Sequence, residues 1–345
     1  MSMNIGIICP SEIALRRFMP ALKQCDAFSF AGLGVFNRKE LFHSEGLSEE
    51  EFKVIHNKEV KKAKIFVEQF GGKIYEGYES VVTAPEIDAV YIPLPPALHF
   101  YWAKKALEAG KHVLVEKPAT ISARDTEELV SIAKRKKAAF HENYMFMFHN
   151  QLQELDRIIH SGEIGDIRLY RISFGFPRRD PNDFRYNKEL GGGALIDAGG
   201  YTIQYATHLL GSSARLVYAQ SNFIKDFEVD IYGSAAMIND SGTMVQMAFG
   251  MDNSYKCDLE VWGSKGTLST GRVLTAPSGF VPKAKICLGN EERVIDLPAD
   301  DAFRKSIEFF EQCILDETIR MNRYQSIVKQ SLLVDEFKKH AAMKL

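Results

Sequence analysis

No stretch of this chain reaches the about 18 consecutive apolar residues that a membrane-spanning helix needs, so no membrane span is expected. Excess charge is missing too. The 43 Lys and Arg residues face 45 Asp and Glu, a formal net charge of −2. That balance gives neither nucleic acid nor an anionic membrane surface a reason to bind. Cysteine is scarce and unpatterned: Cys9, Cys25, Cys257, Cys287 and Cys313 are odd in number and show no C-x-x-C spacing. A reduced, cytoplasmic setting fits them better than a disulfide framework. The N-terminus carries no basic region followed by an apolar segment, and export is not expected. No metal is expected either. His141 and Glu142 are adjacent, so they do not share a face, and no third ligand spacing accompanies them. A nucleophile elbow of the serine-hydrolase kind is also missing.

What is there is ordinary globular chain, 345 residues and 46% hydrophobic, enough for two domains with a core each. Residues 1–140 alternate apolar runs with helical patterns, which predicts a parallel sheet. Strands are expected at Asn4–Cys9, Phe28–Phe36, Ala89–Leu94 and His112–Val115. Helices are expected at Glu12–Lys23, Lys61–Phe70, Phe100–Ala109 and Ala123–Lys136, with Gly71 and Gly110 stopping two of them. Residues 39–62 are long and charged for a connection and read as a solvated insertion; a lid or oligomer contact near a cofactor's adenine end is the other reading. After residue 150 come strand-like runs at Arg168–Phe176, Arg215–Ile224, Ile231–Asn239, Thr243–Gly250 and Asp258–Gly263. The turn signals Asn239–Gly242 and Gly263–Gly266 predict hairpins and an antiparallel sheet. The tail, Ala302–Lys344, returns to helical periodicity.

The opening run Gly6–Leu22, GIICPSEIALRRFMPAL, has the strand–turn–helix layout of a dinucleotide-binding domain without its glycines. Cys9 and Ser11 stand where G-x-G-x-x-G puts its first two; Ala14 meets the packing need of the third. Cys9-Pro10-Ser11-Glu12-Ile13 still serves a pyrophosphate if Cys9 and Ser11 keep negative φ, because a helix N-terminus offers free N–H groups. Ser11 is also a good N-cap type. The second strand ends Phe36-Asn37-Arg38, with no acid for an adenosine ribose. A guanidinium there suits a 2′-phosphate.

The run Val90–Pro118, VYIPLPPALHFYWAKKALEAGKHVLVEKP, with Glu116-Lys117-Pro118 after an apolar strand, is similar to the glucose–fructose oxidoreductase, inositol dehydrogenase and rhizopine-catabolism (Gfo/Idh/MocA) family. So are Gly191–Tyr201, GGGALIDAGGY, and the late hairpin EVWGSKGTLS at 260–269. Pro96 stands where many members have asparagine, and Met147 where many have arginine. EIALRRFMPAL resembles the first helix of the family's sugar-nucleotide ketoreductases. The resemblance implies an α/β fold: an N-terminal Rossmann domain, residues 1–140, then a C-terminal α/β domain, residues 141–345, built on a large, open, mostly antiparallel sheet. The second domain is expected to bind substrate and form a homodimer or homotetramer, with the last helices able to pack back on the first. NADP is favoured over NAD. Leu94, Pro95, His99, Glu116 and Lys117 fall on cofactor-facing segments, as do Asn37 and Arg38; satisfying backbone groups is the other reading of His99 and Glu116.

The chemistry expected is hydride exchange between nicotinamide and a sugar, sugar nucleotide or polyol. Lys117, at a strand's carboxyl end, can polarise a carbonyl or stabilise an alkoxide. Tyr201 is a phenol whose reference pKa of about 10 an adjacent ammonium would lower, making it the proton donor and acceptor. Asp197, four residues before Tyr201 and on the same face of an α-helix, would orient Tyr201 or bind a hydroxyl. Tyr144 and Arg185 are further substrate candidates, and His149 is placed near the same cleft. The same fold also includes cofactor-sensing regulators without turnover and redox-assisted glycosidases, which stand as alternatives.

Overall fold

The computed structural model describes residues 2–42 and 44–342. Residue 43 of the expected 39–62 connection and residues 343–344 of the expected helical tail lie outside them. The chain forms two compact units, Met1–Thr120 with Arg124–Asn143 and Ser306–Val328, and Ile121–Ala123 with Tyr144–Lys305 and Lys329–Leu345.

The first unit is built on strands β1 (Met3–Ile7), β2 (Phe28–Val35), β3 (Lys73–Glu76), β4 (Ala89–Ile92), β5 (His112–Glu116) and β6 (Phe140–Asn143). All five pairings are parallel and the order is β3-β2-β1-β4-β5-β6, the order of a doubly wound dinucleotide-binding sheet. Strand β4 is buried on both faces, as a central parallel strand must be. Five helices cross between the strands: α1 (Met19–Leu22), α2 (Glu49–Phe70), α3 (Tyr78–Thr83), α4 (Pro96–Glu108) and α5 (Ala123–Lys136).

One expectation is corrected here. The connection read as a solvated insertion is largely helix: α2 begins at Glu49, not at residue 61. Ser48 accepts the Glu51 N–H while the Glu51 carboxylate accepts the Ser48 N–H, a reciprocal cap. Strand β3 and helix α3 escaped the sequence reading because each is only one turn or a few residues long.

The second unit carries α6 (Asn150–His160), β7 (Ile167–Gly175), α7 (Gly200–Leu210), β8 (Arg215–Asn222), β9 (Tyr232–Ile238), β10 (Met244–Gly250), β11 (Lys256–Gly263), β12 (Gly266–Gly271), β13 (Lys283–Leu288) and β14 (Glu291–Asp296). The eight strands run β14-β13-β12-β11-β7-β10-β9-β8, antiparallel except for β7 with β10. Both expected hairpins are present, β9–β10 and β11–β12. One face packs on α7 through Ile172, Phe174, Val245, Met247 and Leu259. The opposite face is open and mixed in character, with Trp262 exposed and Arg171 paired to Glu260. Helices α8 (Ala302–Leu315) and α9 (Glu317–Ala342) close the chain.

Because α2 is mostly exposed, its cap carries a large share of its local stability. Ser48→Ala should lower unfolding stability by about 1 kcal/mol, read as a lower urea midpoint at unchanged slope.

Candidate active site

The turn after β1 reaches its helix without positive φ at Cys9 or Ser11, so side chains are tolerated where glycine is usual. Ser11 Oγ accepts the Ala14 N–H at 3.2 Å, capping the helix start, and its hydroxyl also reaches the Cys9 thiol. Immediately beyond, Ala14–Phe18 forms a π-helical turn. Cys9 points inward instead. Its thiol lies 3.6 Å from the Pro93 carbonyl, and burial pushes its pKa far up. Any role of Cys9 at a cofactor therefore belongs to its backbone. Glu12 and Ile13 are exposed at the helix start. These residues fit a pyrophosphate: an open N-terminal turn, a hydroxyl and no obstructing charge beyond Glu12, whose carboxylate is held by Arg16 at 2.7 Å.

Arg38 is already engaged. Its guanidinium meets Glu49 at 2.8 Å, donates to the Leu47 carbonyl and lies over the Phe52 ring. Asn37 is half-buried, its N–H donating to Glu40 and its Oδ1 accepting the Lys39 N–H.

Leu94 and Pro95 lead from β4 into α4, and His99 sits fully buried behind them. Its two ring nitrogens face the Leu94 and Pro118 carbonyls, each at 2.7 Å. Burial, reinforced by nearby Lys117, holds its pKa down to about 4 against the pull of those carbonyls. His99 thus ties two loops together through their carbonyls, the backbone-satisfying reading of this residue.

Lys117 is half-buried where β5 ends. Glu116, just before it, accepts from Tyr91 Oη and Asn143 Nδ2, both at 2.7 Å. Desolvation raises the Glu116 pKa, while those two donors and Lys117 oppose the rise. Glu142 is buried on the next strand and accepts the Ala119 N–H at 2.7 Å. Burial pushes it up to about 7, against the pull of Arg323, the Ala119 N–H and Lys117. The sequence reading missed Asn143 and Arg323, and it saw Glu142 only as a rejected metal ligand. No local motif marks them.

In the second unit the glycine-rich segment explains itself sterically. A Cβ on Gly193, at φ +121°, would collide with the Asp230 carboxylate, and one on Gly200 with the Tyr144 hydroxyl. Asp230, also missed, accepts the Leu195 N–H at 2.8 Å and anchors the start of the helix. Leu195–Gly199 is again a π-helical turn, a rare conformation that favours functional sites. Asp197 lies within this turn, and Tyr201 follows it at the start of α7.

Asp197 meets Arg185 at 2.7 Å, and Arg185 also meets Asp183 at 3.1 Å. The two expected substrate residues are therefore partners. Tyr201 is 8% exposed, its ring edged by Tyr144 at 5.2 Å, Phe174 at 5.3 Å and Phe146 at 5.6 Å. Tyr144 itself is 1% exposed, braces Tyr201 with its ring and accepts a hydrogen bond from Gln330 Nε2. His149 caps α6, its Nδ1 accepting the Gln151 N–H. Among the described residues, no group of three potential metal ligands occurs, and no helix is long and apolar enough to cross a membrane.

A six-stranded dinucleotide sheet with a lysine at the end of β5, carried with an open antiparallel sheet, defines a nicotinamide-dependent oxidoreductase. Residues 27–144 match the model of the oxidoreductase family with an NAD-binding Rossmann fold, and residues 152–269 match that of the GFO/IDH/MocA C-terminal domain. The chain is 33% identical over 338 residues to a dTDP-3,4-didehydro-2,6-dideoxy-alpha-D-glucose 3-reductase of Saccharopolyspora spinosa, covering 96% of this chain and 95% of that one. It is 35% identical to the Actinomadura kijaniata enzyme of that name over 332 residues, 96% and 93% of the two chains. A 3-ketoreductase from Actinomadura kijaniata, solved with NADP and TDP-benzene, superposes with a TM-score of 0.89 at 33% identity, covering 99% and 98%. The chain belongs to the GFO/IDH/MocA family of NAD(P)-dependent oxidoreductases.

The Glu142 carboxyl supplies a test. Its folded pKa of about 7 lies above its ordinary 4.5, so the folded chain binds the extra proton and stability falls as pH rises through that window. Glu142→Gln should flatten this dependence and gain on the order of 3 kcal/mol at pH 8, read by thermal unfolding across pH.

Proposed function

We propose that this enzyme reduces the ketone of a nucleotide-activated deoxy-keto-sugar, with NADPH as reductant. The observation that carries the reading is the correspondence, over 96% of the chain, with enzymes named as 3-reductases of a dTDP-linked keto-deoxyhexose. A second observation supports the residues. Solved variants of the Actinomadura 3-ketoreductase alter a lysine and a tyrosine separated in its sequence by as many positions as Lys117 and Tyr201 are here.

When bound, the nicotinamide group supplies the hydride. The turn Cys9–Ile13 would take the pyrophosphate through Ser11 and the N–H groups of Glu12 and Ile13, with Arg38 taking a 2′-phosphate. Lys117 donates a hydrogen bond from its ammonium to the ketone oxygen, stabilising the negative charge that develops there. Tyr201 gives its phenolic proton to the same oxygen, closing the alcohol. Its aromatic surroundings fix the ring, so little orientation is lost on reaching the reactive pose. Asp197, held by Arg185, binds a sugar hydroxyl.

Lys117→Ala should lower kcat by 100-fold or more, about the value of one donor to a developing oxyanion, with NADPH Kd unchanged by fluorescence titration. Tyr201→Phe should cost about 100-fold in kcat. Retained turnover in either variant removes that residue from the mechanism. Arg38→Ala should raise the KM for NADPH about tenfold, the worth of one charge-assisted pair, and leave that for NADH in place. Equal effects on both cofactors would take Arg38 away from the 2′-phosphate.

A further inference from the structure

A chain of buried hydrogen bonds runs from the C-terminal helix to the carboxylate beside Lys117. Arg323 Nε lies 3.0 Å from His141 Nδ1, and His141 Nε2 lies 2.9 Å from Ser306 Oγ. Ser306 Oγ is 2.8 Å from Asn143 Oδ1, and Asn143 Nδ2 is 2.7 Å from Glu116 Oε1. His141, Asn143, Ser306 and Arg323 are each no more than 8% exposed.

The direction of every bond follows from one fact: a guanidinium can only donate. His141 Nδ1 must therefore accept, which puts the ring proton on Nε2 and aims it at Ser306 Oγ. The serine hydroxyl then has Asn143 Oδ1 as its acceptor, and the asparagine amide donates onward to Glu116. All four bonds point from the cation toward the carboxylate. Burial and the adjacent guanidinium hold His141 neutral, as the arrangement requires. An amide does not pass protons along such a row, so its work is orientation and polarisation.

Arg323 has a second grip. Its Nη2 donates to the Glu142 carbonyl. Asn143 and Glu142, adjacent at the end of β6, hold the backbone segment of Lys117 from both sides: Asn143 takes the Glu116 side chain, and Glu142 takes the Ala119 N–H. We propose that Arg323 is a positioning residue for Lys117, acting through Ser306 and the end of β6 to fix the loop that carries the ammonium. The proposal rests on the catalytic reading of Lys117 given above. None of the four residues of the row reaches substrate by this assignment.

Ser306→Ala cuts the row at its middle while leaving the guanidinium in place, and it is the variant least able to disturb folding. It should lower kcat with dTDP-3,4-didehydro-2,6-dideoxy-α-D-glucose about tenfold, while the KM for NADPH stays within about twofold. Ser306→Thr, which keeps the hydroxyl, should restore kcat. Arg323→Lys should not restore what Arg323 does, because an ammonium has no fork to span His141 and the Glu142 carbonyl. A readout without turnover runs beside these: acylation of Lys117 by acetic anhydride, followed by mass spectrometry, should change in rate in Ser306→Ala by about threefold or more, with Lys105 as the unaffected internal standard.

Wild-type kcat together with a wild-type Lys117 acylation rate in Ser306→Ala overturns the proposal. So does a fall in kcat that Ser306→Thr fails to rescue, or a loss confined to the KM for NADPH. Lys117→Ala, assayed in parallel, separates the two levels. If it retains turnover, the catalytic reading of Lys117 fails; if it loses turnover while Ser306→Ala behaves as wild type, only the positioning role fails.

Discussion

Backbone that leaves a buried parallel sheet must find hydrogen-bond partners away from water, since an unpaired buried polar group costs several times what a typical pair contributes net. At the carboxyl ends of β4, β5 and β6 that demand falls on side chains. His99 faces the carbonyls of Leu94 and Pro118, Glu142 takes the Ala119 N–H, and Arg323 donates to the Glu142 carbonyl. The loop bearing Lys117 is thereby held by groups that are themselves buried and held. Precision at a strand end comes from this satisfaction of backbone, and the ammonium inherits it.

That device explains why the fold was more legible than the site. Period and punctuation reveal strands and helices, and Gly71, Gly110 and the two hairpin turns stop elements where the sequence says they should. Lys117 was legible because it follows an apolar strand and precedes a proline. Asn143, Ser306 and Arg323 were not, because each sits alone in an unremarkable helical or strand pattern and acquires meaning only when the topology brings distant segments together. The helix at Glu49 is a different failure. Its capping box, Ser48 and Glu51, was readable, but the density of charge in residues 39–62 masked it. A helix exposed along most of its length shows little hydrophobic period to find.

The two π-helical turns mark where α-helical spacing arguments give out. Ala14–Phe18 follows the turn assigned to the pyrophosphate, and Leu195–Gly199 carries Asp197. A π-turn inserts one extra residue into the i→i+4 ladder, so side chains beyond it rotate against those before it. Asp197 lies within the second of these turns and Tyr201 just after it, in α7. Asp197 meets Arg185, and Tyr201 packs among Tyr144, Phe146 and Phe174.

Arg38 shows how a residue can be occupied and still be available. Its pair with Glu49 leaves the two side chains 36% and 72% exposed, and ion pairs so open to water contribute about 0–1 kcal/mol. Under the proposed function, a 2′-phosphate would bring a larger charge and a geometry that matches the guanidinium fork, set against the Glu49 pair, the Leu47 carbonyl bond and the Phe52 contact. Glu49 also lies in the first turn of α2, where a carboxylate is favoured by the helix dipole whether or not Arg38 is near. Releasing the arginine leaves the glutamate in a place it occupies well on its own. In the proposed reading, the pair holds Arg38 just past the end of β2 in the absence of cofactor and would yield it to a 2′-phosphate.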